Sequence, residues 1–439
     1  MTKPLKSWGR YPDHPQAGHA VQWRDRLQPV LAQVAGANGT TLAYGNGRSY
    51  GDSCLAVSDQ VVYTRPLDRF IAADWQTGVV RAEAGATLDD ILQIAVPRGW
   101  MLPVTPGTKY ATLGGAVAND VHGKNHHVRG TFGHHVRRFA LLRSDGGAFE
   151  CSPEENAEYF AATIGGLGLT GVIAWVEIQL MPIRSSRVSV TSIRFGNLDE
   201  FFALSEELDS KHEYSVAWID CLSRGSSLGR GIFMVGDHAE RGGLQLPVKK
   251  KRAVPITPPI SLINPLTLRA FNALYYNRQQ QKTVQSEVDY DSYFYPLDSL
   301  LEWHRIYGKR GFQQYQCVLP QVNSRDAMHA ILEAIGQSGT GSFLAVLKRC
   351  GDAASPGLLS FPMEGASLAL DFPQHDESNR RLFERLDAIV REAGGRLYPA
   401  KDAHMSASDF QLAYPAWHQL EALRDPALMS RFWQRTTQT

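Results

Sequence analysis

Nowhere in the 439 residues is there an apolar run approaching the roughly 20 needed to span a bilayer, so no membrane-crossing helix is expected. The opening segment MTKPLKSWGRYPDH has no apolar stretch of the kind a secretory signal requires. Cysteine is scarce: five residues, Cys54, Cys151, Cys221, Cys317 and Cys350, odd in number, scattered and without a CxxC pair. That excludes a disulfide framework and a zinc ribbon, and it predicts a reducing compartment, the cytoplasm. Charge of one sign is missing too. Lys+Arg 45 against Asp+Glu 44 leaves a formal +1, which argues against nucleic acid as a partner. Internal repeats and low-complexity tracts are also absent. What is present is a globular composition, 43% hydrophobic, 10% aromatic and 20% charged, over a length that suits two or three domains.

The first 185 or so residues alternate short β-branched runs with glycine-rich turns. Val61–Thr64, Val79–Ala84 and Gly171–Ile178 read as strands. Thr87 is placed as an N-cap with Asp90 three residues on, and Leu88, Ile91, Leu92 and Ala95 continue at helical spacing until Pro97 and Gly99 end the helix. After Pro182 the texture changes. Arg187–Phe195 alternates strictly, as an antiparallel strand with one solvated face does. From there to about 395 the pattern reads as a separate α+β unit. Residues 248–290 stand out within it, with a basic run Lys249-Lys250-Lys251-Arg252, a proline-rich apolar stretch, then Phe271, Leu274, Tyr275 and Tyr276. This reads either as a solvated loop with an ordinary helix or as a lid that touches anionic lipid.

Three glycine-rich patches carry the chemistry. Ala43-Tyr44-Gly45-Asn46-Gly47-Arg48-Ser49-Tyr50-Gly51-Asp52-Ser53 frees the backbone to turn N–H groups into one concavity, a nest for pyrophosphate. It lacks the Gly-Lys-Ser/Thr ending of a P-loop, and its glycine spacing is not that of a dinucleotide fingerprint. By itself it reads equally well as a structural turn. The second patch, Gly107 to His127, contains Thr112-Leu113-Gly114-Gly115, whose small residues let a backbone lie against a large ligand. The third is Gly165 to Ile173. Together they suit a large cofactor held mostly by backbone.

The order YGNGRSYGD, GATLDDIL, PGTKYATLGGAVANDVHGKNHH and GGLGLTGVI resembles the FAD-binding domain of the vanillyl-alcohol oxidase (p-cresol methylhydroxylase) superfamily. KSWGR, FGHHVR, FQQYQCVLP, FLAVLKRCG, LSFP, LDFP and GGRLYPAKDAHM extend the resemblance over nearly the whole chain. Within the superfamily it is similar to the flavoprotein oxidases of polyprenyl-phosphoryl-ribose epimerases. The resemblance implies an α+β, two-domain flavoprotein. Its bipartite FAD-binding domain would comprise residues 1–185 and a C-terminal segment 396–439 that returns to it, with an antiparallel-sheet substrate domain at 186–395. FAD would be held by residues 43–53, by Gly107, Thr112, Leu113, Gly114, Gly115, Asn119, Asp120, Val121 and His122, and by Ile173 and Tyr398. No histidine stands at Arg48-Ser49-Tyr50, so the FAD is expected to be noncovalent. Lys401 matches the family's active-site lysine, and His122 is the second catalytic candidate. Lys124, Gln314, Gln316, Lys348 and Ser367 are placed on the substrate side.

The implied reaction is oxidation of the C2′ hydroxyl of a lipid-linked β-D-ribose to the keto sugar. A separate NAD(P)H-dependent short-chain reductase would complete epimerisation, with peripheral contact at the inner face of the plasma membrane. The alternative is oxidation of a soluble sugar, alditol or aldonolactone. One departure is that Ala369 stands where mycobacterial members carry a cysteine. The histidines at 122, 126, 127, 134 and 135 lack a completing Cys or acidic pattern, so no metal site is expected.

Overall fold

The computed structural model describes residues 4–248 and 252–438. Three sheets organise the chain. Ala17–Ala20, Gln60–Tyr63 and Ala43–Tyr44 form a small parallel sheet with Gln60–Tyr63 in its centre. Phe70–Asp74, Val79–Glu83, Val172–Gln179, Val136–Leu142 and Ala148–Cys151 lie in that order in an antiparallel sheet. The third is an eight-stranded antiparallel sheet. Its order is Thr283–Asp289, Arg187–Phe195, Gly231–His238, Tyr214–Ile219, Val346–Cys350, Gly365–Pro373, Phe312–Pro320 and Arg396–Leu397. The alternating segment 187–195 is thus a strand with the bounds its pattern predicts, while the strand expected at 79–84 ends one residue earlier and those expected at 61–64 and 171–178 are shifted by one residue at both ends.

The helix Leu88–Ala95 forms for the reason its sequence states. Thr87 Oγ1 accepts from Asp90 N at 3.1 Å and the Asp90 carboxylate accepts from Thr87 N at 2.9 Å, a reciprocal cap on a helix whose Leu88, Ile91, Leu92 and Ala95 are all buried. In the large sheet, Gly365–Pro373 is buried on both faces, which is why it reads as a continuous apolar run around Asp371. The amphipathic helices Ser324–Ser338 and Asp376–Glu392 pack beneath it, the latter burying Leu382, Phe383, Leu386 and Val390.

Within the described part of 248–290 two longer regular elements form. Pro265–Asn277 is a helix capped by Asn264, and Thr283–Asp289 is an edge strand paired with Arg187–Phe195. A lid that reaches residue 290 is therefore corrected: backbone hydrogen bonding to the sheet holds residues 283–289 in place. Lys249, Lys250 and Lys251 of the basic run lie outside the described residues. Beyond Leu397 the chain runs back to the first glycine loop. Tyr50 N donates to Ala400 O at 3.0 Å, and Thr41 and Ala56 bridge to Leu428 and Ser430.

Candidate active site

A cavity of about 490 Å³ opens between the glycine loops and the open face of the large sheet, within the range of small-molecule sites. Every residue from Ala43 to Tyr50 lines it, as do Ser53, Gly107, Thr112, Gly114, Gly115, Asn119, Val121, His122, Ile173 and Tyr398. Local packing explains the first loop's sequence. Gly47 has φ +59°, a left-handed conformation that favours glycine, and Gly51 lies so close to the C-terminal segment that a Cβ would stand 1.6 Å from Asp402 O.

Five of the expected contacts stand behind the cavity wall. Gly51 and Asp52 face away, and the Asp52 carboxylate pairs with Arg435 at 3.0 Å. Leu113 is wholly buried in the core. Asp120 accepts from Ser355 and Ser360 at 2.5 Å each and from Gly133 N at 2.8 Å, so its side chain ties loops together. Ser367 sits on the large sheet in register with Val318 and Lys348 but does not reach the cavity.

The chain's own residues fit an FAD. Gly107 and Gly168 line the cavity, and a Cβ on either would meet nothing within 4 Å. Arg48 Nε and Ser53 Oγ are buried beside the cavity without a partner, donors suited to an anionic group. The Arg48 guanidinium lies over the rings of Trp8 at 4.2 Å and Tyr110 at 5.3 Å. Nearby, Asp298 accepts from Lys109 N and Thr108 Oγ1 at 2.8 Å each, and burial pushes its carboxyl up to about 6.

The opposite end gathers polar side chains from separate strands. His122 Nε2 faces the Gln316 amide nitrogen at 3.0 Å, and its Nδ1 has no partner. Burial, then the charges of Lys348, His126 and Lys401, hold this imidazole well below its ordinary pKa. The amide nitrogen can only donate, so the lone pair of His122 is already engaged. Lys401 Nζ lies over the Tyr50 ring at 3.7 Å, and burial lowers its pKa to about 7 against the opposing pull of Asp371. Lys124 donates to Tyr293 O and is likewise lowered to about 7 by burial and by Lys348. Lys348 donates to Gly123 O at 2.6 Å.

Gln314 is directly opposite Asp371, and Gln316 opposite Ala369, in the antiparallel register. The two-residue period therefore brings both pairs to the cavity face. Asp371 was not singled out from sequence; its i,i+2 spacing from Ala369 was the signal available. Trp8, Trp218, Tyr275 and Trp303 also line the cavity, each from a different part of the chain; Trp218 and Trp303 carried no sequence signal, whereas Tyr275 lies in the 248–290 segment and Trp8 in KSWGR. Trp218 and Tyr275 pack at 4.4 Å between ring centroids and, with Met234, Leu300 and Leu301, make one arm of the cavity apolar.

Residues 19–152 match the family model of an FAD binding domain. The chain is similar to decaprenylphosphoryl-beta-D-ribose oxidase of Mycolicibacterium smegmatis, 34% identical over 97% of this chain and 95% of that protein. It is also similar to an uncharacterized protein in the mprA 5′ region of Streptomyces coelicolor, 31% identical over 78% of this chain and 96% of that protein. L-gulonolactone oxidase of Mus musculus is 28% identical over 41% of each chain. The glycine cradle, the antiparallel substrate-side sheet and end-to-end identity agree: this chain is an FAD-dependent oxidoreductase and belongs to the decaprenylphosphoryl-beta-D-ribose oxidase family.

Proposed function

We propose that the protein oxidises the C2′ hydroxyl of a polyprenyl-phosphoryl β-D-ribose to the 2′-keto sugar, the first half of an epimerisation to the arabinose form. The observation that carries this reading is the end-to-end similarity to a decaprenylphosphoryl-beta-D-ribose oxidase. The cavity supports it, because a polar end lies beside an apolar arm. Bound FAD supplies the acceptor for the hydride that leaves C2′. Lys401 takes the hydroxyl proton, since burial lowers its pKa to about 7 and so makes a neutral amine available there, whereas the His122 lone pair is engaged by Gln316. His122 and Gln316 orient the sugar. Lys124 and Lys348 face the phosphate, and Trp218, Tyr275 and Leu301 cover the start of the isoprenoid tail.

The same reading holds FAD noncovalently, because residues 43–53 contain no histidine; acid precipitation should then release the flavin into the supernatant. It divides the chain at about 185 and 395, with residues 396–439 returning to the FAD domain. A separate NAD(P)H-dependent short-chain reductase completes the epimerisation. It also places the apolar segment around Ile260, Leu266 and Leu274 against a membrane at the cavity mouth, given that Tyr275 of the same helix lines the cavity. Among the described residues no helix is long and apolar enough to cross a membrane.

Anaerobic mixing with a polyprenyl-phosphoryl ribose tests the proposal, with bleaching of the flavin as the expected result. A second reading, oxidation of a soluble sugar or lactone, draws on the similarity to L-gulonolactone oxidase. Bleaching by soluble sugars alone would select it.

A further inference from the structure

We infer that Asp371 is a positioning residue for Lys401, and that the two hold protons as one unit during oxidation of the substrate hydroxyl. The inference rests on the hydroxyl-oxidation reading above. Asp371 is 1% exposed in a central strand of the large sheet. Its Oδ1 accepts from Gln314 Nε2 at 2.6 Å, and its backbone N–H donates to Ser342 Oγ at 3.0 Å. Oδ2 is buried and has no partner. Buried carboxylate oxygens are normally satisfied, so an orphan at a cavity wall is open to a proton or to a group held in the cavity.

Lys401 lies at the same end of the cavity. No hydrogen bond or ion pair joins it to Asp371, yet each carboxylate charge and ammonium charge acts on the other. Burial raises Asp371 to about 7 and lowers Lys401 to about 7, so the two groups titrate in one range and exchange influence there. The groups facing them from other elements are Tyr50 and Tyr307 beside Asp371, and His122 beside Lys401. Arg48 and Asp298 act at one remove, through Tyr50. Burial keeps both tyrosines un-ionised and His122 neutral; Lys124 titrates in the same range, but the charge that acts on Lys401 is that of Asp371.

In the step, the O–H bond breaks and its proton passes to the neutral Lys401 amine. The C–H bond breaks with its electron pair leaving as hydride to the bound FAD, and the C=O bond forms. Ionised Asp371 stabilises the ammonium so produced; protonated Asp371 does not. The carboxyl thus decides at which pH the lysine accepts and at which it releases.

The test follows the amine itself. The holoenzyme is treated with cyanate across a pH series, and carbamylation of the Lys401 peptide is quantified by mass spectrometry. The wild-type midpoint should fall near 7. Asp371→Asn removes the anion and should move the midpoint down; a tenfold fall in proton affinity gives roughly fivefold more modification at about pH 6. Asp371→Glu should restore the midpoint toward wild type. An unmoved midpoint in folded, FAD-bound Asp371→Asn overturns the inference. Should that variant not fold, Gln314→Ala serves: without its hydrogen bond Asp371 stays protonated to higher pH, and the Lys401 midpoint must again fall or the inference fails. Modification needs no substrate. Failure of the lipid-linked ribose to bleach the flavin would therefore overturn the substrate reading alone, while normal bleaching with an unmoved midpoint overturns the pair alone.

Discussion

Three lysines, Lys124, Lys348 and Lys401, face one cavity, and none has a carboxylate within ion-pair distance among the described residues. Each loses hydration there, so the ammonium form is disfavoured at all three. Such an arrangement is stabilised by an anionic ligand, and it provides a neutral amine at ordinary pH. Lys401→Ala is expected to leave FAD bound and to slow anaerobic flavin reduction by about 10²–10⁴-fold, the usual weight of a general base. The pH dependence follows from the same shift. Lys401 accepts a proton only when deprotonated, so the reduction rate should rise with pH through about 7 and level off above it, measured by stopped-flow bleaching. At this scale the sequence was informative where a motif surrounded the residue: HGKNHH and LYPAKD singled out His122 and Lys401. It was silent on Asp371, because one acid within an apolar strand carries no local mark of the cavity beside it.

Among the elements, the short helix Leu88–Ala95 carries its start signal in its own sequence, while its buried face is stabilised by the core. Its cap is written within four residues, and Thr87→Ala should cost about 1 kcal/mol in denaturant unfolding. The helix Asp376–Glu392 differs. Its buried face lies under the strands that carry Gln314 and Asp371, and Phe383 is 2% exposed among Tyr315, Phe372 and His404. Phe383→Ala should cost about 3–5 kcal/mol and lower the melting temperature of the holoenzyme. Of the two, only Leu88–Ala95 was read from the sequence. The strand Thr283–Asp289 was not: its burial is mostly exposed to intermediate, so its sequence resembles a loop, and only pairing with Arg187–Phe195 makes it a strand.

For the whole molecule, the decisive contacts join residues nearly the full length of the chain apart. Arg435 reaches Asp52 of the first glycine loop at 3.0 Å and Asp402, next to Lys401, at 2.8 Å, and it also donates to Met405 O. These bonds, with Tyr50 N to Ala400 O, set the lysine loop against the glycine loop. Arg435→Ala leaves two buried carboxylates without their cation. It should cost about 3–5 kcal/mol and release FAD more readily, read by thermal unfolding and flavin retention on gel filtration. The proposed membrane contact gives a second expectation at this scale. Leu266 and Leu274 are 78% and 74% exposed, and Leu266→Asp with Leu274→Asp should reduce co-sedimentation with anionic vesicles while leaving bleaching by a detergent-dispersed substrate in place.

The amino-acid sequence by itself determined the glycine loops and the helix Leu88–Ala95, and through its resemblance to a family it pointed to FAD and to Lys401 within LYPAKD. The loops and that helix are encoded in short windows, where spacing and residue type suffice. Only the tertiary structure decided which side of each loop meets the cavity. It turned Asp52 toward Arg435, Asp120 toward Ser355 and Ser360, and Leu113 into the core, while strand register brought Gln314, Gln316, Ala369 and Asp371 to one face. The reason is physical. Orientation within a loop and pairing between strands are set by partners tens to hundreds of residues away, and those partners leave no trace in the local pattern.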